Sequence, residues 1–241
     1  MKAVILAAGM GKRLGSHLPK CLVEVNGKSI LERQVSILKN YVDEIIVVTG
    51  YKHAIVERIA QKLGVTTVWN PLVFCENIVS LFFGVTKVKG PFIILNGDTL
   101  VNENIIKHLV DTKGNVLVVE RWKESENVDD PMFCHDYDKE AMKVEFDGKK
   151  ILNVSKKIGR WESWGEYIGL AKIGNNRKLQ EEVEGLIGNG YVHEWYESVF
   201  NAMIKKGIVF HPMATYGLGF PCWNEIDTKE DLEEARKFFY E

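Results

Sequence analysis

Near the start of the chain, Leu6-Ala-Ala-Gly-Met-Gly-Lys-Arg-Leu-Gly15 is followed by Pro19-Lys20. Glycines after an apolar run let backbone N–H groups approach phosphate oxygens, because no Cβ stands in the way. Lys12, Arg13 and Lys20 add positive charge on or near the loop, and Lys20 reads as an exposed loop residue with little packing of its own. That combination suits a polyphosphate. G-x-x-x-x-G-K-[ST] is absent, and Leu14 stands where the dinucleotide fingerprint needs its third glycine. For the glycines alone, the plainer reading is a tight turn that happens to be basic.

Two carboxylates have suggestive positions. Phe92-Ile-Ile-Leu-Asn-Gly-Asp98-Thr99 is an apolar strand ending in an acid, which puts Asp98 at the ligand-binding edge of a parallel sheet. Mg²⁺ takes one or two carboxylates plus phosphate oxygens, so Asp98 is a candidate ligand for metal and nucleotide; its plainer role is a turn or a helix cap. Trp223-Asn-Glu-Ile-Asp227-Thr228 precedes the last helix, where acidic residues also serve the helix dipole. Between these lies Asn70-Pro71 through Glu76-Asn77-Ile-Val-Ser80-Leu81, with Asn77 open to reading as a cap and Ser80 as solvent-facing.

The elements that must position these groups follow from periodicity. Strands are expected over 4–7, 44–49, 66–69, 92–95 and 116–119, with helices over 30–38, 54–63, 77–85 and 104–110. That alternation predicts an α/β fold with a mostly parallel sheet between two layers of helices. Beyond about residue 120 the texture becomes polar and acidic. Asp147-Gly148 then marks a hairpin between strands over 142–146 and 151–154. Another strand is expected over 167–173, helices over 178–186 and 193–205, and a strand over 208–210. The last helix starts at Thr228, whose spacing to Asp231 is that of a capping box. No Pro/Gly/Ser-rich linker divides the chain. Residues 1–241 therefore read as one domain, with a nucleotide-binding half (1–120) and an acceptor-binding half (121–241).

Composition narrows the classes. The 241 residues carry 31 basic and 33 acidic side chains, net −2, so no broad nucleic-acid or membrane surface is implied. The cysteines at 21, 75, 134 and 222 fit neither a zinc spacing nor a disulfide framework, and read as free thiols of a cytoplasmic protein. No run approaches the ~20 apolar residues of a spanning helix. A homodimer stays open.

Taken with Leu22-Val-Glu-Val-Asn-Gly-Lys-Ser-Ile-Leu31, the first motif resembles the signature of the sugar-phosphate nucleotidyltransferase superfamily, L-A-A-G-x-G-x-R-L then P-K-x-L-x-x-V. The resemblance implies a Rossmann-like three-layer α/β/α sandwich with a mixed sheet. It places Arg13 and Lys20 on the triphosphate as catalytic groups, and Leu6, Ala8, Gly9 and Gly11 at the nucleotide. It makes Asp98 and Asp227 the Mg²⁺ ligands, the second in a W-x-x-[IV]-D-T context. The Asn-x-x-Ser-Leu pattern is similar to stand-alone cytidylyltransferases acting on phosphocholine and aminoethylphosphonate, which puts Asn77 and Ser80 at the cytosine of CTP.

The acceptor side carries the same likeness, in the segments from Asp138 to Val144, Asn153 to Ile158 and Gly165 to Gly169. Lys156 occupies the place of a lysine on the acceptor phosphate. Trp122, Trp161, Trp164, Trp195 and Trp223 concentrate in this half, with Asp129, Glu166 and Glu194 nearby. Aromatic faces beside carboxylates suit a cationic amine, so Glu166 and Trp195 join Lys156 as acceptor-binding candidates; the plainer role of the tryptophans is packing. The implied reaction is CTP plus a small phosphorylated amine, giving a CDP-linked product and pyrophosphate. The alternatives are cytidylyl or uridylyl transfer to inositol 1-phosphate or a sugar 1-phosphate, and a catalytically silent nucleotide-binding regulator.

Overall fold

The computed structural model describes residues 1–121 and 140–239. In chain order the first part comprises β1 (Lys2–Ala7), β2 (Glu24–Val25), β3 (Lys28–Ser29), α1 (Ile30–Leu38), β4 (Glu44–Thr49), α2 (His53–Lys62), β5 (Thr66–Trp69), α3 (Asn77–Val85), β6 (Phe92–Asn96), β7 (Thr99–Val101), α4 (Glu103–Asp111) and β8 (Asn115–Arg121). The second comprises β9 (Lys143–Phe146), β10 (Ile151–Ser155), β11 (Gly165–Ile173), α5 (Asn176–Gly188), α6 (Glu197–Lys205), β12 (Phe210–Ala214), β13 (Trp223–Glu225) and α7 (Lys229–Phe238). Trp122, Asp129, Cys134 and Asp138 lie outside the described residues; Cys21, Cys75 and Cys222 are free thiols.

Among the described residues, nine strands form one mixed sheet. β5, β4, β1 and β6 run parallel, and the long β11 then pairs antiparallel with β6, β8 and β9. Strands from both halves of the chain thus hydrogen-bond into the same sheet. Alternation along β1 sends Val4 and Leu6 to one face, under α3, α5 and α6, and Ala3, Ile5 and Ala7 to the other, under α1, α2 and α4. This is the three-layer Rossmann-like sandwich the sequence implies. Each fully buried Val, Ile or Leu in these layers contributes on the order of 2 kcal/mol. A third cluster joins Leu14, Ile30, Leu100, Ile226 and Ala235, tying the glycine loop to α7.

Local chemistry sets the ends of the elements. Ser29 and Glu32 form a capping box on α1, and Thr228 and Asp231 form one on α7. Three features depart from the sequence reading. Asn26-Gly27 turns the β2–β3 hairpin, both residues having positive φ. β7 and β13 pair antiparallel into a separate two-stranded sheet. The helix expected over 193–205 begins only at Glu197: the Tyr196 N–H donates to Asn77 Oδ1 at 2.8 Å, and Trp195 lies in the loop before it. No helix among the described residues is long and apolar enough to cross a membrane.

Candidate active site

The carboxyl ends of β1 and β6 open into a cleft of about 560 Å³. Its floor is built by close backbone approach. The Gly97 N–H donates to Leu6 O at 3.0 Å, and a Cβ on Gly97 would come within 2.8 Å of that oxygen and 2.9 Å of Ala7 Cα. Glycine is therefore required before Asp98 so that β6 can end against β1. The Asp98 carbonyl then accepts from Ile226 N at 3.1 Å, while Thr99 pairs with Glu225 across β7 and β13. The two-stranded sheet is what carries residues 225–227 to Asp98.

The result is a charged knot. Asp98, Glu225 and Asp227 offer carboxylate oxygens all within 4.8 Å of one another. The Lys20 ammonium sits between Asp98 Oδ2, at 2.7 Å, and Asp227 Oδ1, and Arg13 pairs with Asp227 Oδ2. Lys20 is not the exposed loop residue of the sequence reading: its side chain is 11 % exposed. Cys21 and Leu22, buried in the core, fix the turn from which it projects. Gly11, at φ 59°, lies so close that a Cβ there would meet Lys20 Cβ at 2.9 Å. Burial alone would lower the Lys20 pKa, but Asp98 and Asp227 outweigh it and the net shift is upward. Glu225 is pushed up to about 8 by burial and by the charges of Asp98 and Asp227.

Three clustered carboxyl groups around Lys20, with Arg13 on the outer side of Asp227, form an oxygen-rich pocket. Oxygen donors of this kind are the chemistry of Mg²⁺. Asp98 Oδ1, buried and without a hydrogen-bond partner among the described residues, adds an open donor, so the residues fit such an ion. Asp227 does not cap the last helix: Thr228 does, and Asp231 accepts from both the Asp227 and Thr228 N–H groups. That leaves the Asp227 carboxylate to the knot.

The other sequence candidates divide. Gly9, Gly11, Asn77, Lys156, Glu166 and Trp195 line the cleft. Leu6 and Ala8 lie beneath it, their carbonyls accepting from Gly97 N and Tyr51 N at 3.0 Å each. Ser80 is neither solvent-facing nor in the cleft wall. It is 6 % exposed and accepts from Asn70 Nδ2 at 3.1 Å, because α3 turns that face into the core. Asn77 is the first residue of α3, not its cap, and with Oδ1 engaged by Tyr196 N it presents its amide N–H groups.

Among the described residues the tryptophans do not gather into a cage. Of these only Trp195 lines the cleft; Trp164 packs on Phe146, and Trp223 Nε1 donates to Glu120 at 2.9 Å. The Trp195 face is covered by the protein's own Lys156, whose Nζ sits 3.3 Å from the ring centre and 3.1 Å from Glu140 Oε2. Glu140, Glu197 and Glu225 are cleft residues that sequence reasoning missed. Glu225 was within reach, since residues i and i+2 of an extended segment share a face and Asp227 was already singled out.

Residues 3–199 match the family described as a MobA-like NTP transferase domain, and the chain belongs to that family. It is 29 % identical over 242 residues to the bifunctional IPC transferase and DIPP synthase of Thermococcus kodakarensis, covering 98 % of this chain and 50 % of that protein. It is 33 % identical over 113 residues to the choline-phosphate cytidylyltransferase of Streptococcus pneumoniae, covering 45 % of this chain and 49 % of that protein. These matches span about half the length of either relative. The fold is shared with an inositol-1-phosphate CTP transferase from T. maritima, with a TM-score of 0.76 at 23 % identity over 98 % of this chain and 94 % of that one.

Proposed function

We propose that this protein is a Mg²⁺-dependent cytidylyltransferase that joins CTP to a small phosphorylated amine and releases pyrophosphate. The observation that carries the reading is the knot of Lys20, Arg13, Asp98 and Asp227 at the mouth of the glycine loop. The backbone of Gly9–Gly11 cradles the triphosphate, and Arg13 and Lys20 stabilise charge at the α-phosphorus. The acceptor's phosphate oxygen attacks that phosphorus in line, the bond to the β-phosphate oxygen breaks, and pyrophosphate leaves. The attacking oxygen is already anionic, so no general base is needed. Asp98 and Asp227 would hold Mg²⁺, which when bound supplies positive charge to the reacting phosphates. Positioning and electrostatics then account for most of the catalysis.

Lys156 holds the acceptor phosphate, with Glu166 and Trp195 near its head group. CTP is supported by the choline-phosphate cytidylyltransferase likeness; Asn77 offers its amide N–H groups to a base carbonyl, a contact that cytosine and uracil can both accept. The likeness to the IPC transferase over nearly all of this chain and half of that protein, with the fold shared with an inositol-1-phosphate CTP transferase, favours a second reading, in which the acceptor is inositol 1-phosphate or another polyol phosphate. Pyrophosphate release measured with four nucleoside triphosphates against a panel of phosphorylated amines and polyols separates these readings. We expect CTP to exceed UTP by roughly 10²-fold and a phosphorylated amine to exceed inositol 1-phosphate. Equal rates with CTP and UTP would refute the base assignment, and a preference for inositol 1-phosphate would refute the amine.

A further inference from the structure

Glu197 is a cleft residue that the phosphate chemistry leaves unused. It opens α6 with 4 % of its surface exposed, and its Oε2 has no hydrogen-bond partner among the described residues. Burial pushes its carboxyl up to about 7, against the opposing pull of its own backbone and of Lys156. Neighbouring groups are committed elsewhere. Lys156 pairs with Glu140 and lies over Trp195. Tyr196 donates its hydroxyl proton to Asn96 Oδ1 at 3.1 Å, so the 2.9 Å bond between the Tyr167 and Tyr196 hydroxyls uses the proton of Tyr167. Each phenol has one proton to give, and neither has one left for Glu197.

A buried carboxylate with one oxygen left without a donor is costly to the folded protein, and an apolar residue would avoid that cost. Glu197 lines the cleft in the acceptor half, and its unpartnered oxygen is itself buried there. We propose that Glu197 is the specificity-determining residue for the acceptor, pairing through Oε2 with a protonated amine on the head group while Lys156 engages the phosphate. A neutral hydroxyl would give Oε2 a hydrogen bond but leave the buried charge uncompensated, and Glu166 in the same wall adds charge of the same sign. The selectivity therefore comes from this carboxylate, with Trp195 already covered by Lys156. The assignment rests on the reading of the cleft as a nucleotidyl-transfer site with a phosphorylated acceptor.

Calorimetric titration of the full chain with ethanolamine phosphate and with glycerol 3-phosphate, each beside a non-hydrolysable CTP analogue, tests it. Wild type should bind the amine about tenfold tighter or more, as a charge-assisted bond requires. Glu197→Gln should erase that preference while its affinity for the CTP analogue stays unchanged, and Glu197→Asp, which keeps the charge, should restore part of it. A preference that survives in Glu197→Gln, or none in wild type, overturns the assignment. Pyrophosphate release is scored separately: turnover of glycerol phosphate without amine preference removes Glu197 and keeps nucleotidyl transfer. Amine-selective binding with no pyrophosphate release from any acceptor removes nucleotidyl transfer and keeps Glu197.

Discussion

The two ends of the cleft handle charge in opposite ways. At the glycine loop, Arg13 and Lys20 are ion-paired with Asp98 and Asp227, and three of the four are anchored by rigid backbone: the Lys20 turn by Cys21 and Leu22, Asp98 by Gly97 against β1, Asp227 by β13. At the acceptor end Glu197 is buried with an unpartnered oxygen, and among the described residues the one tryptophan in the wall is covered by Lys156. On the proposed function the first end would meet the polyphosphate of a nucleotide. The second bears an electrostatic cost that a particular head group would relieve. Chemistry common to a family can be built into strand ends, whereas specificity sits in single side chains on loops and helix starts.

Lys20→Ala should widen this contrast most. Turnover falls by roughly 10²-fold or more, as for other charges that act in the transition state. Because Lys20 also separates Asp98 from Asp227, the melting temperature without metal should fall as well, and added Mg²⁺ should recover part of it. Near-normal turnover would remove Lys20 from the mechanism, and an unchanged melting temperature would mean that the ion pairs carry no net stability.

Gly97→Ala probes the backbone anchor. Its Cβ would collide with Leu6 O and Ala7 Cα, so β6 must shift and carry Asp98 with it. Turnover should drop on the order of tenfold or more, since a misplacement of about 1 Å is enough to cost rate. Parent-like kinetics would show that the floor tolerates movement.

Glu197→Gln sharpens the other side through pH. Burial raises the folded-state pKa of Glu197 from 4.5 to about 7. The protonated side chain is favoured in the folded protein, and that stability is complete below pH 4.5 and lost as pH rises through about 7. A glutamine does not titrate, so the variant's melting temperature should gain on wild type between pH 5 and 8. A constant difference across that window would mean that Glu197 is paired and no costlier than other carboxylates.

Ser80→Ala should have the smallest functional effect. It leaves Asn70 Nδ2 without its acceptor, a cost of about 1–3 kcal/mol, with the CTP to UTP ratio unchanged. A changed ratio would return Ser80 to the base-binding set.

Much of the fold was legible because it follows from local pattern. The bounds of α1, β4, β5 and α3 fall where periodicity puts them, and the Thr228–Asp231 capping box forms as its spacing implies. What escaped is non-local. β7 and β13 are three residues each and exist only by pairing with one another across the chain. The first turn expected for α6 is lost because Asn77, more than a hundred residues earlier, takes the Tyr196 N–H. The same division runs through the candidate site. Arg13, Lys20, Asp98 and Asp227 belong to motifs, and the structure brings them together. Ser80 was misjudged because its orientation is set by how α3 packs, and Glu197 was passed over because a lone glutamate at a helix start has no sequence signal until its burial is known.

On the proposed function, the acids beside Lys20 make nucleotidyl transfer by this protein dependent on a divalent cation. Pyrophosphate release from CTP with a phosphorylated acceptor, followed across a Mg²⁺ titration in wild type and Asp227→Asn, tests it most directly. Wild type should show a saturable Mg²⁺ dependence, and Asp227→Asn should lose activity by roughly 10²-fold or more with its fold intact by circular dichroism. Full activity and an unchanged Mg²⁺ profile in Asp227→Asn would contradict the account and leave Asp227 as a residue that merely precedes the last helix.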